Sequence, residues 1–279
     1  MTSTTIEPRI ESLGPIPPRR YGIAGLLASE WTKLKSVRST VWTLLVMAFV
    51  GIGLGAVVTS AQASRWSTRT FAEMRLFDPT RSSLSGLLFA QLAIGVLAVL
   101  VVSAEYSSGT IRATFSAAPR RPLVLVAKVI VFSAVVLVVG EAVSFCAFFL
   151  GQHLLAGGHA PTASLSDPDV RRAVLSGGLY LFALGLLALG LATIIRHTAA
   201  SISAFVGLLL ILPIISAALP TQLDDDISRF LPAAIGTVML SGHYHGTDSF
   251  GPWTGFALLG GYAIASLVAG GILLVRRDV

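Results

Sequence analysis

The chain is poor in most of what a soluble catalytic protein uses. It has one cysteine, Cys146, inside an apolar run, so no internal disulfide forms and a cysteine-based metal cluster lacks ligands. That thiol is expected to serve packing. The only lysines are Lys33, Lys35 and Lys128, and none follows a glycine. The phosphate-cradling pattern G-x-x-x-x-G-K-S/T is therefore missing, which excludes ATP binding of that kind by this chain. No H-E-x-x-H zinc pair and no G-x-S-x-G nucleophile elbow stand out. Charged side chains make up only 12% of the 279 residues, against about 25% in soluble domains. The first apolar run lies far from Met1 with no small-residue cleavage pattern after it, so a secretory signal is not expected.

What the chain has is apolar length. Hydrophobic residues reach 54% and the mean hydropathy is +0.79, the composition of an all-α integral membrane protein. Six runs approach the roughly 20 residues a span needs: about 41–61, 86–104, 123–150, 173–195, 200–219 and 254–275. Backbone groups find no water in the bilayer core, so these runs are expected as helices. Together they make residues 40–279 a six-span domain. Gly51-Ile-Gly-Leu-Gly55 in the first span permits close helix approach. Pro213 predicts a kink in the fifth.

Residues 1–20 carry Pro8, Pro15, Pro17 and Pro18 without apolar periodicity, and read as a disordered cytoplasmic tail. Over 21–39, Ile23, Leu27, Trp31 and Leu34 recur at helical spacing while Lys33, Lys35 and Arg38 collect at the end. This predicts an amphipathic helix on the inner membrane face, its cations towards anionic lipid. Phe230–Leu240 is apolar but too short to span, so it reads as a re-entrant or interfacial helix.

The net charge of +6 could suggest nucleic acid, but its distribution argues for topology instead. With the N-terminus inside, 13 of the 20 Lys and Arg fall on the inner side. Both termini are then cytoplasmic, as is the segment after the second span. Membrane lipid, not nucleic acid, is the expected surroundings.

That segment, Glu105-Tyr-Ser-Ser-Gly-Thr-Ile-Arg112 and on to Lys128, is a charged interruption between two apolar runs. Ser107, Ser108 and Gly109 break the helix, Thr110 can cap a new one, and Pro119 and Pro122 end it. Ile111 and Phe115 lie one turn apart on this short helix and form a small apolar face suited to docking another protein. A plain polar connector would have the same composition. Glu105 ends the second span, where the helix dipole disfavours an anion. It therefore calls for a cation, available at Arg112, Arg120, Arg121 or Lys128.

Glu141 lies inside the third span, where an ionisable group is costly. Gln91 and Tyr180 are expected at a similar depth, so the three form a candidate cluster. It either ties helices together or lines a substrate path. His243-Tyr-His245 with Asp248 has metal-binding residue types, but alternate histidines fit a polar loop better. No metal or cofactor is expected.

These features together resemble the permease subunits of type-2 ABC exporters, especially short ones from high-GC Gram-positive bacteria. The likeness rests on Ser29-Glu30-Trp31-Thr32-Lys33-Leu34-Lys35 before the first span and on Glu105-Tyr-x-x-Gly109-Thr110-Ile111-Arg112 after the second. Pro119-Arg120-Arg121, Lys128 and the six-span plan complete it. The resemblance implies a permease that is not itself an enzyme, working with a separate ATP-binding subunit. It also implies a second permease copy or paralogue. Thr110, Ile111, Arg112, Phe115, Arg120 and Arg121 would form the coupling helix that meets the ATPase. Glu105 and Lys128 would pair to hold that helix to its span. The cargo would be a hydrophobic or amphipathic small molecule. Two other classes compete: an ion-coupled secondary transporter using Glu141, and an intramembrane hydrolase. The first needs an internal repeat, which is not evident. The second needs a histidine at the depth of Glu141, and His153 and His197 fall at opposite ends.

Overall fold

The computed structural model describes residues 22–117, 121–243 and 250–276, leaving aside the side chains of Arg112, Ala113, Phe115 and Ala117. Among the described residues every regular element is helical, and six helices are long and apolar enough to cross a membrane. The chain is an all-α, multi-pass membrane protein. The expected tail at 1–20 lies outside the described residues.

Helix α1 (Ile23–Ser36) ends where Val37 turns extended, and α2 (Arg38–Ser64) starts at once as the first span. On α1, Ile23 and Trp31 are exposed while Glu30 and Leu34 are buried. The side that meets the protein is therefore not the plain apolar stripe. After α2 come two short helices fastened by their caps. In α3 (Phe71–Arg75), Thr70 and Glu73 form a capping box; in α4 (Pro79–Leu84), the Asp78 carboxylate accepts the N–H groups of Thr80 and Arg81. Past Ser85 and Gly86 the chain continues into α5 (Leu87–Ser107), and α4 with α5 makes the second span.

Gly109 then adopts φ +72°, a left-handed conformation that reverses the chain at little cost for glycine. The short α6 (Thr110–Ala117) follows. Helix α7 (Arg121–Gly157) has 37 residues, about 55 Å at 1.5 Å per residue. The hydrocarbon core takes about 30 Å, so α7 projects beyond it. Cys146 sits on the exposed side of α7 and does not serve internal packing.

Helix α8 (Pro168–Ile195) is the centre of the bundle: Tyr180, Leu181, Leu184 and Ala188 have no exposed surface. It packs against α5, α7 and the last helix. The fifth span is α9 (Thr198–Val206), a π-helical turn over Gly207–Ile211, and α10 (Leu212–Ala217). The expected irregularity is thus a widened turn just before Pro213. Proline donates no N–H to the preceding turn and its ring crowds that turn, which the wider helix relieves. Helices α11 (Thr221–Ser228) and α12 (Pro232–Met239) lead to α13 (Pro252–Arg276). The α12 helix tucks into the bundle, with Gly236 against the Tyr180 ring.

Close approach depends on a few glycines. A Cβ on Gly86 would lie 2.1 Å from the Gly51 carbonyl oxygen, and one on Gly55 2.7 Å from that of Ser83. The Gly51–Gly55 pair therefore seats α2 directly on the α4–α5 junction. Gly95 receives the Phe205 ring, which brings α9 onto α5.

Candidate functional site

Glu105 is the last buried residue of α5. The end of its helix is closed by Ser108, whose N–H and hydroxyl both donate to the Ala104 carbonyl at 3.1 and 2.7 Å. Thr110 opens α6 with its hydroxyl 2.9 Å from that of Ser108. The carboxylate is thus held at a fixed corner, about one turn before the reversal at Gly109 that leads to α6.

Four charges meet at that corner. Lys128, on α7, donates to Glu105 Oε1 at 2.9 Å and to Glu30 Oε2 at 2.7 Å. Lys33, on α1, donates to Glu105 Oε1 at 2.8 Å and to Glu30 Oε1 at 2.6 Å. The four close a ring in which each ammonium bridges both carboxylates. Glu30, Glu105 and Lys128 are only 5, 9 and 6% exposed. The ring carries no net charge, so it avoids leaving a bare ion in a dry site, the costliest outcome of burial. It also sets two cations against the unfavourable dipole at the end of α5. Burial by itself would lower the Lys33 pKa, but the hydrogen bonds to Glu105 and Glu30 outweigh it and hold that ammonium above its ordinary range. The ring borders a cavity of about 330 Å³ between α1 and α5–α6, otherwise walled largely by Leu34, Leu100, Val101 and Thr114.

Glu30 and Lys33 are members that residue-by-residue reading did not assign to this ring. The signal was present. Glu30 sits between Leu27 and Leu34 on α1, at spacings of three and four, where an acid facing the bundle needs a cation.

The short helix is oriented by its own packing. Ile111 is buried, and lines a small pocket together with Val102, Tyr106, Val124 and Leu274. It is turned towards the bundle, because an isoleucine beside apolar span ends gains more by burial than by exposure. Thr110 stays exposed. The side chains of Arg112 and Phe115 lie outside the described residues, as does all of Arg120. Arg121 reaches the other way: its Nη1 donates to the Leu274 carbonyl at 3.2 Å. Arg196, the left-handed C-cap of α8, donates to the Leu273 carbonyl at 2.8 Å and stacks 5.4 Å over the Tyr106 ring. Two guanidiniums thus satisfy carbonyls at the C-terminal end of α13, where partial negative charge gathers.

The deeper cluster divides. The Tyr180 hydroxyl donates to Gln91 Oε1 at 2.5 Å, and it lies 3.4 Å from the Pro232 carbonyl. That pair joins α5, α8 and the start of α12. Glu141 lies elsewhere, its carboxyl against Gly178 of α8. Gly178 and Tyr180 are two residues apart on one helix, about 200° around it, so one cluster cannot hold both. Glu141 Oε2 is buried without a hydrogen-bond partner among the described residues. On the opposite end of the bundle, His243 Nδ1 is 4.0 Å from Asp78 Oδ1. Tyr244, His245 and Asp248 lie outside the described residues.

Among curated proteins, no match to the chain was found. Residues 26–220, from the first turn of α1 through the fifth span, match the family described as ABC-2 family transporter protein. With six apolar helices and most of its length inside that match, the chain belongs to the ABC-2 transporter family and is a membrane-spanning transport subunit.

Proposed function

We propose that the chain is the permease of an ATP-driven exporter in the cell membrane, with both termini cytoplasmic and α6 seated on a separate ATP-binding subunit. A second permease copy or paralogue completes the translocation path. The observation that carries this reading is the four-charge ring at the root of α6. It ties the end of the second span to α1 and to the third span at one point. A push on α6 is therefore delivered to three elements together. Arg121, bonded to the end of α13, adds a fourth.

In this reading Thr110, Arg112, Phe115, Arg120 and Arg121 belong to the segment that meets the ATPase, with Ile111 as its anchor in the bundle. Glu105 and Lys128 transmit the motion. The cargo is a hydrophobic or amphipathic small molecule, in keeping with spans that are apolar almost throughout. Glu141, whose Oε2 has no hydrogen-bond partner among the described residues, is the residue that would meet it in the path. Gln91 of α5 and Tyr180, on another face of α8, hold the start of α12 in place.

The test replaces Glu105 with Ala in the assembled transporter. The expected result is membrane insertion and co-purification with the ATP-binding subunit, but ATP hydrolysis no longer tied to transport. Tight coupling in the variant, or no ATP-binding protein recovered with the wild-type chain, would defeat the reading.

A further inference from the structure

The end of the bundle opposite α6 holds a broad polar basin of about 910 Å³ between the end of α2, the α3–α4 connector and the segment after α12. Two acids and three arginines line it, and they are engaged very differently. Glu73 Oε2 is taken by the Thr70 N–H and hydroxyl at 2.8 and 2.9 Å. The backbone donor, foremost, holds that carboxyl below the usual carboxylate range. Asp78 is used on both oxygens. One caps α4, and the other accepts from the Ser241 hydroxyl at 2.7 Å and the Gly242 N–H at 2.8 Å. Asp78 is thus occupied on both oxygens and Glu73 on one, each in holding the connector together.

The arginines form no ion pair within 4.0 Å among the described residues, although Arg69 is near enough to Glu73 to help lower its carboxyl pKa. The Arg69 guanidinium is fixed over the rings of Phe77 and Trp66, at 4.9 and 5.5 Å, and among the described residues its side chain makes no hydrogen bond. Arg75 and Arg81 are exposed, and among the described residues neither has a carboxylate within 4.0 Å. Three guanidinium forks around one basin match an anion with several oxygens better than a single carboxylate. The rim adds a second condition. Phe71 and Leu76, at the two ends of α3, are 76 and 86% exposed, which suits a short helix dipping into lipid.

We infer that this basin binds a phosphate-bearing anion, with the phosphate on Arg69, Arg75 and Arg81 and the source an anionic phospholipid headgroup at that membrane surface. On the orientation proposed above this is the outer surface, although the binding chemistry does not depend on it.

The full-length protein, purified in detergent with any subunit that accompanies it and stripped of lipid, is titrated with dihexanoyl-phosphatidylglycerol, with dihexanoylglycerol and with inorganic phosphate. Binding is read by native mass spectrometry. Wild type binds the phosphatidylglycerol and not the phosphate-free diglyceride. The Arg75→Gln/Arg81→Gln variant, altered only at exposed positions, keeps its melting temperature and binds about tenfold more weakly. Displacement by inorganic phosphate assigns the site to the free anion as well; no displacement restricts it to the headgroup, with the apolar rim contributing. Unchanged binding by the variant, or equal binding of the diglyceride by wild type, overturns the inference.

Discussion

At the scale of single residues, the protein turns on charges that are affordable only in company. Lys128 is buried beside two carboxylates, so its removal leaves both to one half-exposed Lys33. Lys128→Met is expected to cost about 3–5 kcal/mol, the usual effect of breaking a buried ion pair from one side. Adding Glu105→Gln to it removes one of the stranded carboxylates. The double variant should therefore melt above the single one in detergent, and a double-mutant cycle isolates the coupling. If the two losses simply add, the ring does not act as a unit.

Half of that ring was legible. An acid at the C-terminal end of a helix asks for a cation, and Lys128 stood in the nearest charged segment. The other half was not, because sequence distance hides it: Glu30 lies 98 residues from Lys128, and only packing of α1 on α7 joins them. Arg121 is a similar case: one of its bonds reaches a carbonyl of α13, 153 residues away, which nothing local in the sequence announces.

At the scale of elements, helix existence followed from apolar run length, and helix ends followed from caps. The second span shows the limit. An apolar run suggested a start near residue 86, but the span begins at Pro79, where Asp78 and proline start a helix through polar residues. The contact between spans is set by missing side chains. A methyl group on Gly86 would meet the backbone of Gly51, which cannot move aside as a side chain can. Gly86→Ala is expected to cost about 3 kcal/mol or more, seen as a lower melting temperature and less protein extracted in folded form. Gly53→Ala, at a position with nothing nearby, is the matched control and should leave both unchanged. The Gly51–Gly55 spacing hinted at such an approach without naming its partner. The short α6 shows the same limit: its two-turn length and its start at Thr110 were readable, but not which side faces inward. Ile111 answers that by pointing into the bundle.

At the scale of the whole molecule, α8 lies inside while α2 and the fifth span leave most of their apolar surface uncovered. Lipid or a second permease chain must cover it. The proposed orientation puts α6 on the cytoplasmic side, and cysteine labelling tests it. In a Cys146→Ser background, Thr110→Cys should react with a membrane-impermeant maleimide in inside-out vesicles and resist it in whole cells. The reverse pattern would invert the topology.

Composition alone determined that this chain lives in a membrane as a set of helices, because apolar runs of span length admit no other backbone solution in lipid. The missing phosphate loop likewise limited what such a chain does with ATP on its own. Tertiary structure alone decided how the polar minority is used. It closed Glu30, Lys33, Glu105 and Lys128 into one ring, turned Ile111 inward, and parted Glu141 from Gln91 and Tyr180. The physical reason is common to all three. A buried charge, a buried side chain and a hydrogen bond each depend on which helix face meets which, and that is fixed by packing between segments far apart in the chain.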